Sequence, residues 1–164
     1  MGGVFKCTGC AECCKNLVTL QWSGLSLFPW EKHLFPSKKV HPHLAYGASP
    51  DSKDFRIFLY KYMEQSCEKL EGNKCTIYDN RPLVCRSYPF RYVQMSRGRV
   101  FYELAPECPG VKEVNEEYNV KRHYPEIYAT EEIGLHLTHF ETMKTHKWEY
   151  KTEARKWSPW TPTI

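Results

Sequence analysis

Cys7-Thr8-Gly9-Cys10-Ala11-Glu12-Cys13-Cys14 places four cysteines within eight residues. A C-x-x-C step folds two sulfurs onto one side of a tight turn, the geometry that ~2.3 Å metal–sulfur bonds require. Here the step occurs twice, and a fourth cysteine follows at once. Adjacent side chains diverge in any regular backbone. On a helix, Cys7, Cys10 and Cys14 would share an arc of about 60° while Cys13 stood well off it. Gly9 interrupts such a helix, yet the expectation is the same: the four sulfurs do not all serve one small ion, and one points to a different site.

Further along stand Cys67, Cys75, Cys85 and Cys108. Gly72-Asn73 is a two-residue hairpin signal, with Lys74 to Tyr78 as the returning strand. A turn centred there sets Cys75 opposite Leu70. Cys67 then lies at an odd offset, on the other sheet face. A disulfide between Cys67 and Cys75 is disfavoured, because it needs converging Cβ atoms and Cα atoms within ~7 Å. This argues for two metal sites, or one site plus spare thiols, with a bulge able to restore a single site. The chain has no second C-x-x-C knuckle, so a simple zinc ribbon does not fit. Lys6, Lys15, Lys74, Arg81 and Arg86 stand beside the sulfurs in sequence. Cations there lower thiol pKa values and offset thiolate charge. Pro82 is expected to set the turn into the Cys85 segment, with Arg81 hydrogen-bonding carbonyls or sulfurs beneath it.

The whole chain has 164 residues, 41% hydrophobic and 26% charged, enough for one domain with a modest core. No apolar run approaches the ~20 residues of a membrane span. The first residues carry no apolar signal region, so the chain reads as cytoplasmic. Gly2 does not make a myristoylation site, because Lys6 stands where Ser or Thr is wanted. In a reducing compartment eight cysteines stay thiols unless a metal holds them. Residues 1–110 carry 15 Lys+Arg against 10 Asp+Glu, and residues 111–164 carry 8 against 9. All the cysteines lie in the positive part. A four-thiolate zinc or [4Fe–4S] site is about −2 overall, so two sites would bring that part near neutrality.

The expected fold is α+β: small antiparallel hairpins around a cysteine-rich metal site, with a C-terminal helix. Residues 1–110 form the metal-binding module. Residues 111–164 add a helical segment and an aromatic tail to the same domain. Leu17 to Gln21 reads as a short strand, Pro29 to Phe35 as a short helix closed by Pro36, and 36–54 as a long irregular connection. Phe55 to Tyr62 alternates like a strand. Phe90–Met95 and Arg99–Leu104 pair through Ser96-Arg97-Gly98. Residues 130–157 look helical, with Thr130 as a cap before Glu131 and Glu132. The tail around Trp157 and Trp160 must be extended, and either the domain or a partner must cover its rings.

The combined pattern resembles the YkgJ-type cysteine-cluster (CxxCxxCC) family. The resemblance is carried by Phe5-Lys6-Cys7-x-x-Cys10-x-x-Cys13-Cys14, by Cys67-x7-Cys75-Thr76-Ile77-Tyr78-x-x-Arg81-Pro82-Leu83-x-Cys85-Arg86-x-Tyr88-Pro89, and by Cys108-Pro109-Gly110. It covers roughly residues 4–110 and implies zinc or iron chelation, often as an iron–sulfur cluster, by Cys7, Cys10, Cys13, Cys14, Cys67, Cys75, Cys85 and Cys108. Flagellin lysine N-methylases have a similar cysteine module on a much longer chain, and their activity does not carry over here. Residues 111–164 match no family pattern.

The resulting expectation is a metal-binding protein with an iron–sulfur cluster, [4Fe–4S] favoured, acting in electron transfer or cluster handling with a protein or redox partner. The alternative is a zinc-stabilised interaction module. Chelation, or Cys→Ser at Cys7, Cys10, Cys75 or Cys85, is expected to unfold it, since a structural site contributes on the order of 10 kcal/mol. His41 and His43 read as a solvated loop pair. Glu132, His136 and His139 share one helix face and read as its polar side, with a metal site as the lesser alternative. The aromatics alternate as a small core requires, so nucleic-acid binding is not the preferred reading. No phosphate loop, Rossmann glycine pattern or Ser-His-Asp arrangement is present, and no catalytic residue is assigned.

Overall fold

A computed structural model describes residues 7–18, 23–113, 124–143 and 145–161. Lys6 and the Gly2 position lie outside the described residues, as do residues 19–21 of the expected first strand.

The chain begins with a single helical turn, α1 (Glu12–Lys15), then strands β1 (Leu25–Leu27), β2 (Val40–Gly47) and β3 (Arg56–Tyr62). A tight hairpin follows, β4 (Leu70–Glu71) and β5 (Lys74–Cys75), then helix α2 (Leu83–Ser87). A longer hairpin is made by β6 (Phe90–Ser96) and β7 (Arg99–Leu104). Helix α3 (Glu126–Glu141) and strands β8 (His146–Lys151) and β9 (Lys156–Pro159) complete the order. The fold is α+β. Five strands form one antiparallel sheet in the order β1-β3-β2-β8-β9, and the two hairpins are separate two-stranded sheets.

Both hairpins follow their turn residues. Leu70 pairs with Cys75 and Glu71 with Lys74 around Gly72-Asn73, the expected register. In the second, Ser96 pairs with Arg99, so the turn proper is Arg97-Gly98, both at positive φ.

Three expectations are corrected. The stretch 36–54 is not irregular: it contains β2, flanked by β3 and β8. Pro42 disguised this strand, since proline donates nothing to a ladder. It is tolerated because β8 pairs only with Leu44 to Gly47, and the β2–β3 register shifts between Pro42 and Leu44. His41 and His43 therefore sit on a strand, not in a loop. Secondly, the helix expected over 130–157 runs from Glu126 to Glu141, and Trp148 and Tyr150 belong to β8. Thr130 is no cap. It is buried within α3 and donates its hydroxyl to the Phe90 carbonyl at 2.9 Å. Thirdly, of Pro29 to Phe35 only Lys32–Leu34 forms a 3-10 turn, since Phe35 must be extended before Pro36. Val18 makes an isolated bridge to Ser23.

Three apolar clusters hold these layers together. Leu17, Leu25, Leu27, Phe35 and Tyr62 form one; Phe28, Leu83, Ala129 and Ile133 a second; Phe90, Tyr124 and Ile127 a third. Helix α3 approaches β6 at Gly134, where an added Cβ would lie 2.9 Å from the Tyr92 ring. The tail is extended; the chain partly covers Trp157, while Trp160 stays exposed. Trp157 packs on Phe55 and Tyr150, and the Lys147 ammonium sits 4.0 Å above the Trp160 ring. Among the described residues no helix is long and apolar enough to cross a membrane.

Burial holds His43 down to about 4, and the charges of Lys61, Lys147 and Lys151 add to this against Glu149. An unfolded histidine titrates near pH 6.5. Below that pH the unfolded chain takes up a proton the native chain refuses. Stability therefore falls as pH drops from about 6.5 to about 4. His43→Gln is expected to flatten urea-midpoint against pH across that window. Parallel curves for the two proteins would contradict it.

Candidate metal centre

The N-terminal cysteines ride on a left-handed bend followed by one helical turn. Gly9 and Ala11 both take positive φ (69° and 61°), which reverses the chain between Cys10 and Cys13. Lys15 steadies the bend by donating to the Cys10 carbonyl at 2.9 Å. Cys13 and Cys14 sulfurs lie 4.0 Å apart. This corrects the expectation that these neighbours diverge, because the turn is too short and too tightly entered to impose a full helical spread.

Two backbone hydrogen bonds stitch this turn to the next cysteine segment. Cys67 N donates to the Cys14 carbonyl at 2.8 Å and Leu17 N to Gln65 O at 2.9 Å. The Cys14 thiol shares side-chain hydrogen bonds with Cys13 and Cys67. Cys13 and Cys67 are thereby held down to about 7, Cys13 with help from the Arg81 charge. Cys14 itself is pushed up by those hydrogen bonds, by burial and by the charges of Cys13 and Cys67.

Cys75 comes in on β5. Cys85 comes in on α2, where its N–H donates to Pro82 O at 2.9 Å. Burial drives the Cys85 thiol up, and the charges of Cys67, Cys13 and Cys75 add to that. Arg81 donates Nε to the Tyr78 carbonyl at 2.8 Å and stacks 3.7 Å above the Tyr78 ring. That agrees with the carbonyl role expected for it.

Helix α2 is anchored by a residue the sequence did not single out. Glu31, buried, accepts from Phe28 N at 2.9 Å and from Leu83 N at 2.7 Å. A lone glutamate carries no local signal for a partner 52 residues away.

Cys108 ends the turn after β7. Ala105 N donates to Pro89 O at 2.9 Å and Cys108 N to Ala105 O at 3.0 Å, holding the turn against the end of α2. Burial pushes buried Cys108 up, and Cys10 and Cys13 act on it electrostatically.

Seven of the eight sequence candidates are linked pairwise: Cys13, Cys14 and Cys67 act on one another, Cys85 feels Cys67, Cys13 and Cys75, and Cys108 feels Cys10 and Cys13. Cys7 and Cys13 are exposed, and none of the eight forms a disulfide. The lesser candidates do not assemble. His136 Nε2 lies 3.7 Å from Glu132 Oε1, while the His136 ring packs on Trp30 and Phe28. His139 packs beside Phe140.

Among the described residues no group of three or more His, Cys, Asp or Glu side chains is placed so as to hold a metal ion. The donor set nonetheless fits a soft metal. It is all sulfur, two thiols are depressed to about 7, and the Cys13–Cys14 spacing of 4.0 Å is near the ~3.8 Å edge of a tetrahedron with ~2.3 Å bonds. Over residues 6–124, most of the chain, the sequence matches the family described as "CxxCxxCC: Putative zinc- or iron-chelating domain".

The chain belongs to the CxxCxxCC family.

The match supports metal binding as the function of this CxxCxxCC domain and names zinc and iron alike. It spans every cysteine and extends past Cys108 to Tyr124, whose buried ring packs on Phe90 in the third apolar cluster. No curated protein and no solved structure matches the chain.

Proposed function

We propose that the cysteines hold an iron–sulfur cluster, [4Fe–4S] in the first instance, and that the protein serves electron transfer or cluster handling with a protein partner. The observation that carries this reading is that seven thiols from five chain segments are linked pairwise by their mutual interactions. That is more sulfur than one four-coordinate ion or one [4Fe–4S] core takes from the protein, and it is spread from Cys85 through Cys13 to Cys108. A spread of soft donors suits a polynuclear iron–sulfur core, which thiolates hold preferentially. The positive charge of Arg81 beside Cys13 and Cys85 supports it by offsetting thiolate charge.

Zinc is the second reading, favoured by the 4.0 Å Cys13–Cys14 spacing, which suits a single tetrahedral ion. Anaerobic purification with iron, sulfide and zinc analysis separates the two. Brown protein with equal iron and sulfide is the expected result. Colourless protein with stoichiometric zinc would replace the first reading by the second, and metal-free folded protein would overturn both.

A further inference from the structure

The Tyr88 hydroxyl is enclosed in the protein and has no hydrogen-bond partner. A buried donor left unpaired is a net cost to the fold, so its retention points to an acceptor that the metal-free arrangement does not supply. The surroundings say which. The charges of Glu107, Cys108 and Cys13 all act on the hydroxyl, with Arg91 opposing them. Tyr88 closes the C-terminal end of α2, three residues after Cys85, and the turn carrying Cys108 is tied to the next residue through Ala105 N and Pro89 O. The Glu107 carboxylate, an acceptor whatever the state of the cysteines, contacts Arg91 at 3.6 Å and makes no hydrogen bond with the hydroxyl. The other two neighbours are sulfurs. A neutral thiol is a weak acceptor, whereas a ligating thiolate is a strong one.

We propose that Tyr88 is a positioning residue that donates its hydroxyl hydrogen to a ligand thiolate, Cys108 or Cys13, when the centre is loaded. This rests on the metal-centre reading above. A hydrogen bond to a ligand sulfur withdraws electron density from it and orients it, and outer partners of this kind set both affinity and electronic properties.

Tyr88→Phe removes only the oxygen. The reduced full-length chain is titrated anaerobically with Co(II), read by its sulfur-to-cobalt charge-transfer absorption. Tyr88→Phe is expected to weaken Co(II) binding about tenfold or more. Its charge-transfer band moves to lower energy. Wild-type affinity and spectrum in Tyr88→Phe would overturn the proposal. So would weaker binding with the band still in place, since that marks a merely structural hydroxyl. Glu107→Gln is the companion variant: if it reproduces the band shift, the hydroxyl serves Glu107 and the proposal falls. A wild-type chain that takes up no Co(II) overturns the metal-centre reading and this one together, whereas the other failures touch this one alone.

Discussion

Cys85→Ser is expected to strip the chain of most of its bound metal and to abolish its cooperative melt. Cys85 stands where several constraints meet. It is presented by α2, it packs with Cys67 against the apolar cluster of Leu17, Leu25, Leu27, Phe35 and Tyr62, and it faces Cys67, Cys13 and Cys75. Serine offers a hard hydroxyl that stays protonated at neutral pH, so a soft metal gains nothing from it. A structural site contributes on the order of 10 kcal/mol to folding. Whole domains are stable by only about 5–15 kcal/mol, so losing one ligand removes a share the fold cannot spare. Metal content per chain and a circular-dichroism melt, with and without chelator, check this. A variant that keeps wild-type metal and a wild-type cooperative melt would contradict it.

Glu31→Ala is expected to destabilise the protein by about 2–5 kcal/mol. Its carboxylate is the acceptor for two backbone N–H groups, Phe28 and Leu83, both bonds being buried. Each orphaned buried donor costs ~1–3 kcal/mol. Leu83 opens α2, so the loss also loosens the helix that presents Cys85, and weaker metal retention should accompany the fall in stability. Glu31→Gln should lie between, because one amide oxygen still accepts while the amide nitrogen confronts the other donor. Urea denaturation of the three proteins measures the series. Glu31→Ala within about 0.5 kcal/mol of wild type would show that the two N–H groups find other partners.

What could be read from the chain was local. Gly72-Asn73 set the register of Leu70 against Cys75, and Arg97-Gly98 set the β6–β7 hairpin. The Arg56–Tyr62 alternation marked a strand, and the C-x-x-C-x-x-C-C spacing marked a metal site that family membership supports. Each signal lies within a few residues of its effect.

Two of the misreadings were settled at a distance. Val40–Gly47 is a strand because β3 and β8 supply its neighbours, which no local feature around Pro42 announces. Thr130 resembled a cap and instead bonds Phe90, because β6 lies against α3. Glu31 gave no signal and Tyr88 stood out only as part of the family motif, since the partners that make them matter come from other segments.

Residue types and spacings along the chain were enough to indicate antiparallel hairpins and a cysteine-rich metal-binding domain, because turn preferences and sulfur chemistry are short-range properties. Which sulfurs meet, that Cys13 and Cys14 stay together, and that α2 hangs on one buried carboxylate were decided by the assembled fold. Backbone bonds such as Cys67 N to Cys14 O join stretches far apart in sequence, and only packing selects among such pairings.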